Sequence, residues 1–389
     1  MVTAPAPDFF RRRIDYGLTV DDLGPRLHGR AARPPVPARR GAAAALAPFA
    51  WPPGLAPTPH ELAAEPDPSD PLPRADVLVI TWTAAELQAL ADVLTPGVNP
   101  SKRWYRYGRD FDSYLPSIRR GAPARTAGRL GSYYLTRIGA VDVLCLKSEL
   151  HLNQDGVSTG TGTATLPVAT FLEQLYREVR PRLVITTGTS GGTLAEARLG
   201  DVVVTNRAGF RLDAEFRNEP FADTAYASPA TVKKKHLAVA GQLMQRQAAQ
   251  LREPAFGPPT KVYDFAGPLI PGVVNAPKLL LPGQAFPLDR PMLTTDSFVF
   301  GTTSNGLGDA ACGVEMGDAV FGLVAERLDS SPKWLVVRNA SNPPINGDLP
   351  AGPPAALDMQ AHWSAFYYEA FGYWTSVNSA IVTWAMIAP

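Results

Sequence analysis

Two cysteines, five histidines and a net charge of +1 in 389 residues exclude several kinds of chemistry at the outset. Cys145 and Cys312 lie far apart, each in an apolar run, so they offer no disulfide framework and read as buried reduced thiols of a cytoplasmic protein. His28, His60, His151, His236 and His362 have no metal-ligand spacing among themselves or with the cysteines, so no metal and no other cofactor are expected. The near balance of 37 basic and 36 acidic residues gives no bulk attraction to nucleic acid or to a membrane surface. No long stretch is free of polar groups: the most apolar one, from Trp363 onward, carries Glu369 and Asn378 and reads as a packed terminal helix. The opening MVTAPAPDFFRRRIDYG has no apolar core of the kind a secretory leader needs. Phosphate-cradling motifs are missing too, since no Gly-Lys-Ser/Thr or GxGxxG follows an apolar strand.

What the chain does have is 45% hydrophobic residues, enough for a sizeable core, and an alternation of apolar strands with helical patterns. Residues 1–73 hold fifteen of the 39 prolines, mixed with Ala and Arg, and are expected to be a loosely ordered N-terminal arm. Residues 74–389 are expected to form one α/β domain of three layers (αβα) around a central mixed sheet. ADVLVIT is a buried strand, and the helix that follows carries Glu86 in its first turn. A basic, aromatic insert occupies about 96–130. RLVITTG, LGDVVVTN, PMLTTDSF and KWLVVRN read as strands; TATLPVATFLEQLYREVR, SPATVKKKHLAVAGQLMQRQAAQL and VEMGDAVFGLVAERL read as helices. Uniformly apolar strands are those buried on both faces.

Two stretches invite chemistry. VITTGTSGG ends a strand in Gly188-Thr189 and a Gly pair, which lets backbone come close to a ligand at the strand's carboxyl end. VVRNASNPPING ends another in Arg338, Ser341 and Asn342, polar groups that are costly behind a buried strand unless they are paired.

Taken in order, VLVITWTAAEL, VITTGTSGGTLAEARLGDVVVT, TTDSFVFG and GVEMGDAVFGLVAERL with WLVVRNASN resemble the blocks of the nucleoside phosphorylase and nucleosidase superfamily, over roughly residues 75–385. The resemblance implies a phosphorylase/hydrolase-like fold and cleavage of the N-glycosidic bond of a purine nucleoside or nucleotide. It implies that Glu86 holds and activates water and that Thr189 sets a hydroxyl near that nucleophile. Phe298 would stack on the base, Met316 pack beneath the sugar, and Glu315 bind the nucleoside region. Arg338 and Ser341 would buttress the strand end. The family's phosphorolytic members carry arginines near a Gly-Asp-Pro loop after the first strand, and none is present here, so hydrolysis is the favoured reaction. From the residues alone, the alternative for Glu86 is a helix-start acid set by the dipole, and for Phe298 and Met316 a place in the core.

Two positions depart from the family pattern. Asn342 stands where an aspartate usually donates a proton to the leaving base; an amide cannot do that, although its NH₂ can bond to N7 or a 6-oxo group. Gly317 stands where a second glutamate usually grips the ribose hydroxyls; Asp318 is adjacent but about 100° round an ideal helix. Asp348 is a substitute acid or a plain loop acid. A purine sensor without turnover and a phosphate-dependent phosphorylase, with phosphate held by insert arginines, are the rival readings. Basic and aromatic residues from Lys102 to Arg137 would serve a nucleotide if the insert closed over the site, or else form a solvated flap. The resemblance also implies a homo-oligomer.

Overall fold

The computed structural model describes residues 46–152, 164–251, 276–328, 330–352 and 358–389. Their strands, in chain order, are β1 (Thr58–His60), β2 (Val77–Thr81), β3 (Tyr105–Tyr107), β4 (Gly131–Ile138), β5 (Val141–Ser148), β6 (Leu183–Gly191), β7 (Val202–Thr205), β8 (Arg207–Arg211), β9 (Ala225–Ala227), β10 (Leu279–Leu280), β11 (Met292–Thr295), β12 (Gly313–Glu315) and β13 (Trp334–Asn342). The longer helices are α1 (Ala84–Leu94), α2 (Pro167–Val179), α3 (Leu237–Gln247), α4 (Asp318–Arg327) and α5 (Met359–Ile387).

All thirteen strands join one mixed sheet, whose main path runs β1-β4-β5-β2-β6-β12-β11-β8-β9, with β13 bridging β6 and β7. β2 runs parallel to β5 and β6, and β13 runs parallel to β6. Four central strands therefore end on the same side. Their residues alternate between two cores, as a pleated strand requires: Leu78, Ile80, Leu144, Val184 and Val336 face the core under α2 and α4. Val79, Cys145, Ile185, Leu335 and Val337 face the core under α1, α3 and α5. The result is the expected three-layer αβα arrangement with a central mixed sheet. Both cysteines are buried free thiols, and burial pushes each well above the usual thiol range.

Several expectations are corrected. Residues 46–73 are packed, not loosely ordered. β1 pairs antiparallel with β4, Trp51 packs at a tilt against Trp384 with centroids 4.6 Å apart, and the Leu72 N–H donates to Glu178 at 2.7 Å. The proline content misled here because extended Pro-rich chain needs no periodicity of its own to lie on a preformed apolar face. Residues 1–45, with His28, lie outside the described residues. The helix expected from Ser228 begins only at Leu237; the segment before it is spent in partnerships of its own, with the Ser228 N–H bonded to the Asn206 carbonyl and the Lys233 ammonium to the Ile387 carbonyl. Val314 and Glu315, read as helix, belong to β12, and the helix starts at Asp318 after an N-cap at Gly317.

The insert is built into the molecule. β3 adds to β4, and Tyr107 and Tyr114 are buried and bonded to Glu178 and Gln174 on α2. Most of its charge is matched: Arg103 pairs with Glu61, Arg119 with Glu215, Arg129 with Glu149 and Arg137 with Asp142. Among the described residues no helix is long and apolar enough to cross a membrane, and no cluster of His, Cys, Asp or Glu could hold a metal ion.

Candidate active site

Glu86 is reached from β2 by a single turn. Thr83 caps α1: its hydroxyl accepts from the Glu86 N–H, while Glu86 Oε2 accepts from the Thr83 N–H at 2.9 Å, a complete capping box. The same Oε2 takes the Trp82 N–H (3.0 Å) and the Thr81 hydroxyl (2.9 Å). Oε1 points the other way and takes the N–H and hydroxyl of Thr189 at 2.7 and 2.8 Å. Burial opposes ionisation of this carboxyl, but Arg338 and the backbone N–H groups of Thr83, Thr189 and Trp82 outweigh it and hold Glu86 below the usual carboxylate range. Glu86 is thus a helix cap and a cavity wall at once.

That approach explains Gly188. Its φ is +152°, and a Cβ there would fall 2.3 Å from Glu86 Oε1 and 2.8 Å from Arg338 Nη1. Gly188 does not line the cavity; it leaves room for the carboxylate that does.

Arg338, late on β13, is 3% exposed and answers the question of its burial. Its Nε and Nη2 donate to the two Asp318 oxygens at 2.9 and 2.6 Å, Nη2 also to Glu315 at 3.3 Å, and Nη1 stands 3.7 Å from Glu86. Burial works against its charge, yet Asp318, Glu315 and Glu86 together raise its pKa above the ordinary arginine value. Nη1 also donates to the Thr189 carbonyl and the Ser341 hydroxyl to the Ser190 carbonyl, tying β13 to β6 at the site. Asp318, expected near the ligand, is not there. It is fully buried as the bidentate partner of Arg338 and does not line the cavity.

Glu315 ends β12. It takes the Thr294 hydroxyl and the Asp318 N–H on Oε1, and the Gly317 N–H (2.5 Å) with Arg338 on Oε2. Burial and the neighbouring Asp318 push its carboxyl up to about 8, against the pull of Arg338.

These groups close on one cavity at the strands' carboxyl ends, where open α/β sheets place ligands. Glu86, Thr189, Glu315, Arg338, Ser341 and Asn342 line it, with Phe298 and Met316 on its apolar side. Asp296 holds the Phe298 loop in place by accepting the Phe216 N–H at 2.7 Å. Asn342 is 5% exposed, and its Nδ2 finds no partner among the described residues. Asp348 is exposed and outside the lining, so it is a loop acid. No residue of 96–130 lines the cavity, so the insert is not a flap over it.

Sequence reasoning missed Trp82 and His151, which also line the cavity. Trp82 sat in the quoted TWTAAEL block, but an aromatic behind a buried strand reads as core until its neighbours are known. His151 offered only an absence of metal spacing.

The chain's own sequence places it among known proteins over part of its length. The model described as the Phosphorylase superfamily matches residues 110–262. The chain resembles that superfamily. The phosphorylase-superfamily match takes in Gly188 and Thr189 and stops short of Phe298, Glu315, Arg338 and Asn342 on one side and of Glu86 on the other. Among curated proteins, none matches the chain. Distant likenesses to solved structures include a 5′-methylthioadenosine/S-adenosylhomocysteine nucleosidase from Neisseria meningitidis in complex with methylthio-immucillin-A, at 15% identity and a TM-score of 0.41, covering 80% of this chain and 97% of that one. A variant of the Helicobacter pylori enzyme with 5′-methylthioadenosine in the active site is 10% identical with a TM-score of 0.43, covering 80% and 98%. Futalosine hydrolase of Helicobacter pylori is 11% identical with a TM-score of 0.41, covering 80% and 96%.

Proposed function

We propose that the protein hydrolyses the N-glycosidic bond of a purine nucleoside or nucleotide. The observation that carries this reading is the pairing, in one cavity, of a carboxylate held ionised with an amide donor that has no protein partner. Glycosidic cleavage builds positive charge on the sugar and negative charge on the departing base, so it calls for those two groups. Glu86 lies where its charge can stabilise a cationic sugar, and it holds a water once the Thr189 hydroxyl turns away from Oε1. Its depressed pKa makes it weak at stripping a proton from water in the ground state, and it acts once the sugar is already electrophilic. Asn342 Nδ2 donates to N7 or a 6-oxo group, Phe298 supplies the aromatic face for the base, and Thr189 keeps Glu86 in register.

The rival phosphorolytic reading needs a free cationic pocket. Among the described residues Arg338 is the one arginine in the lining and is shared among three carboxyl groups, and the insert arginines expected to hold phosphate lie elsewhere. This supports water as the nucleophile. The cytoplasmic, homo-oligomeric protein implied by the resemblance fits this reading. The test is free-base release in phosphate-free buffer by wild type and Glu86→Gln. The variant should lose about 10²–10⁴-fold in rate while still binding nucleoside. Retention of the wild-type rate by Glu86→Gln would remove Glu86 from the mechanism.

A further inference from the structure

The hydrogen-bonding capacity of the cavity wall is unevenly distributed. Both carboxyl groups that line it are already engaged by protein donors on each oxygen: Glu86 by Thr81, Trp82, Thr83 and Thr189, Glu315 by Thr294, Gly317, Asp318 and Arg338. Neither has the two free lone pairs with which a carboxylate grips a pair of adjacent hydroxyls. Donors, in contrast, are left over. Trp82 Nε1 and Asn342 Nδ2 are buried, belong to lining residues and have no partner among the described residues.

Trp82 also fills the space where an added acceptor would stand. A Cβ on Gly317 would lie 3.3 Å from Trp82 Cζ2, 3.4 Å from Cε2 and 3.6 Å from Glu315 Oε2, so any side chain at 317 would meet the indole. The Arg338 guanidinium stands over the same ring, 5.0 Å from its centroid. This stretch of wall is therefore an aromatic face carrying one N–H.

We infer that Trp82 sets sugar specificity, and that the cavity prefers a 2′-deoxyribonucleoside to the matching ribonucleoside. The inference rests on the nucleosidase reading. A vicinal diol brings two O–H donors to a wall whose carboxylates are taken. A 2′-deoxy sugar leaves one of that pair for the hydroxyl groups of the lining, presents its CH₂ to the indole, and offers its oxygens to the spare Nε1–H. Each unpaired hydroxyl in a buried site costs on the order of a tenfold loss or more in binding.

The experiment uses the full chain and two substrate pairs, 2′-deoxyinosine against inosine and 2′-deoxyadenosine against adenosine, scored by calorimetric binding and by free-base release. Wild type should favour the deoxy member of each pair by at least about tenfold in kcat/KM. Trp82→Phe keeps the ring and removes the donor, so it should weaken both members alike and keep their ratio. Trp82→Ala opens the wall to water and should narrow the ratio. Binding of ribo- and deoxynucleosides with equal affinity overturns the inference and leaves the nucleosidase reading standing. Absence of binding by all four compounds overturns both. Because the wild-type ratio is itself decisive, poor folding of a Trp82 variant does not blunt the test.

Discussion

Two glutamates a few ångströms from one guanidinium have opposite titration behaviour, and the cause is what else touches them. Glu86 collects backbone N–H groups at the start of α1 and at Thr189, so its charge is stabilised; Glu315 faces Asp318, a like charge, and is pushed up to about 8. Linkage gives the sign. A carboxyl whose folded pKa is raised keeps its proton in the folded state after the unfolded chain has lost it. The stability this contributes is complete below the ordinary value of 4.5 and is lost as pH rises through about 8. Glu86 contributes in the other direction, with stability present above the ordinary carboxylate range and lost as pH falls through its depressed pKa. Wild type should therefore lose stability between about pH 4.5 and 8 relative to Glu315→Gln, in a comparison of denaturant midpoints; parallel curves would mean that Glu315 is ionised throughout. Asn342 is the other informative residue. With only an amide to offer, 6-oxopurines, whose leaving anion an N–H can stabilise, should outrun 6-aminopurines, which need a proton at N7. Asn342→Asp should shift the preference toward 6-amino substrates, and Asn342→Ala should slow both by roughly tenfold or more. Equal rates for all three proteins would make Asn342 structural. Most of these residues were legible in the sequence because polar groups directly behind apolar strands are costly and so announce a purpose. Asp318 was not: its role as the bidentate partner of Arg338 depends on a contact across 20 residues that helix geometry alone does not disclose.

At the scale of elements, strands were easier to read than their margins. β2, β6, β7, β11 and β13 carry uniform apolar runs, which only strands covered on both faces tolerate. Helix starts were harder. VEMGDAVF has helical composition, yet Val314 pairs with Gly191 and Glu315 with Thr294 across β12, and tertiary pairing overrides local propensity. Residues 46–73 were missed for a related reason, since their stability lies in the surface they cover. Trp51 stacks on Phe49 at 4.9 Å and packs at a tilt against Trp384 at 4.6 Å, and the Trp384 indole N–H donates to the Leu55 carbonyl at 2.7 Å. This segment thus closes the far end of α5 and belongs to the folded unit. Trp51→Ala should cost about 1–3 kcal/mol, below the full cost for a buried aromatic because Trp51 is half-buried. A melting temperature unchanged from wild type would return the segment to the status of a dispensable arm.

For the whole molecule, the parallel set β5-β2-β6-β13 fixes where chemistry can occur, because its strands deliver their ends to one side of the sheet. Trp82 and Glu86 follow β2, Thr189 to Gly191 close β6, and Arg338 to Asn342 close β13. The basic insert joins the sheet through β3 on β4, and its arginines answer acids just past β5, on α2 and near β8. Even Lys147, beside Thr81 near the end of β5, is largely covered and paired with Glu149. A phosphate dianion entering the cavity would have to draw Arg338 away from three carboxylates, and separating a buried charge from its partners costs about 3–5 kcal/mol. Base release should for that reason proceed at the same rate with and without phosphate, and Arg129→Gln in the insert should leave kcat unchanged while lowering stability through the stranded Glu149. Arg338→Met, in contrast, should leave Glu86, Glu315 and Asp318 without their shared cation and lower stability by about 3–5 kcal/mol, read from chemical denaturation. Strict dependence of turnover on phosphate would show that Arg338 does exchange partners during the reaction, and the molecule would then be a phosphorylase.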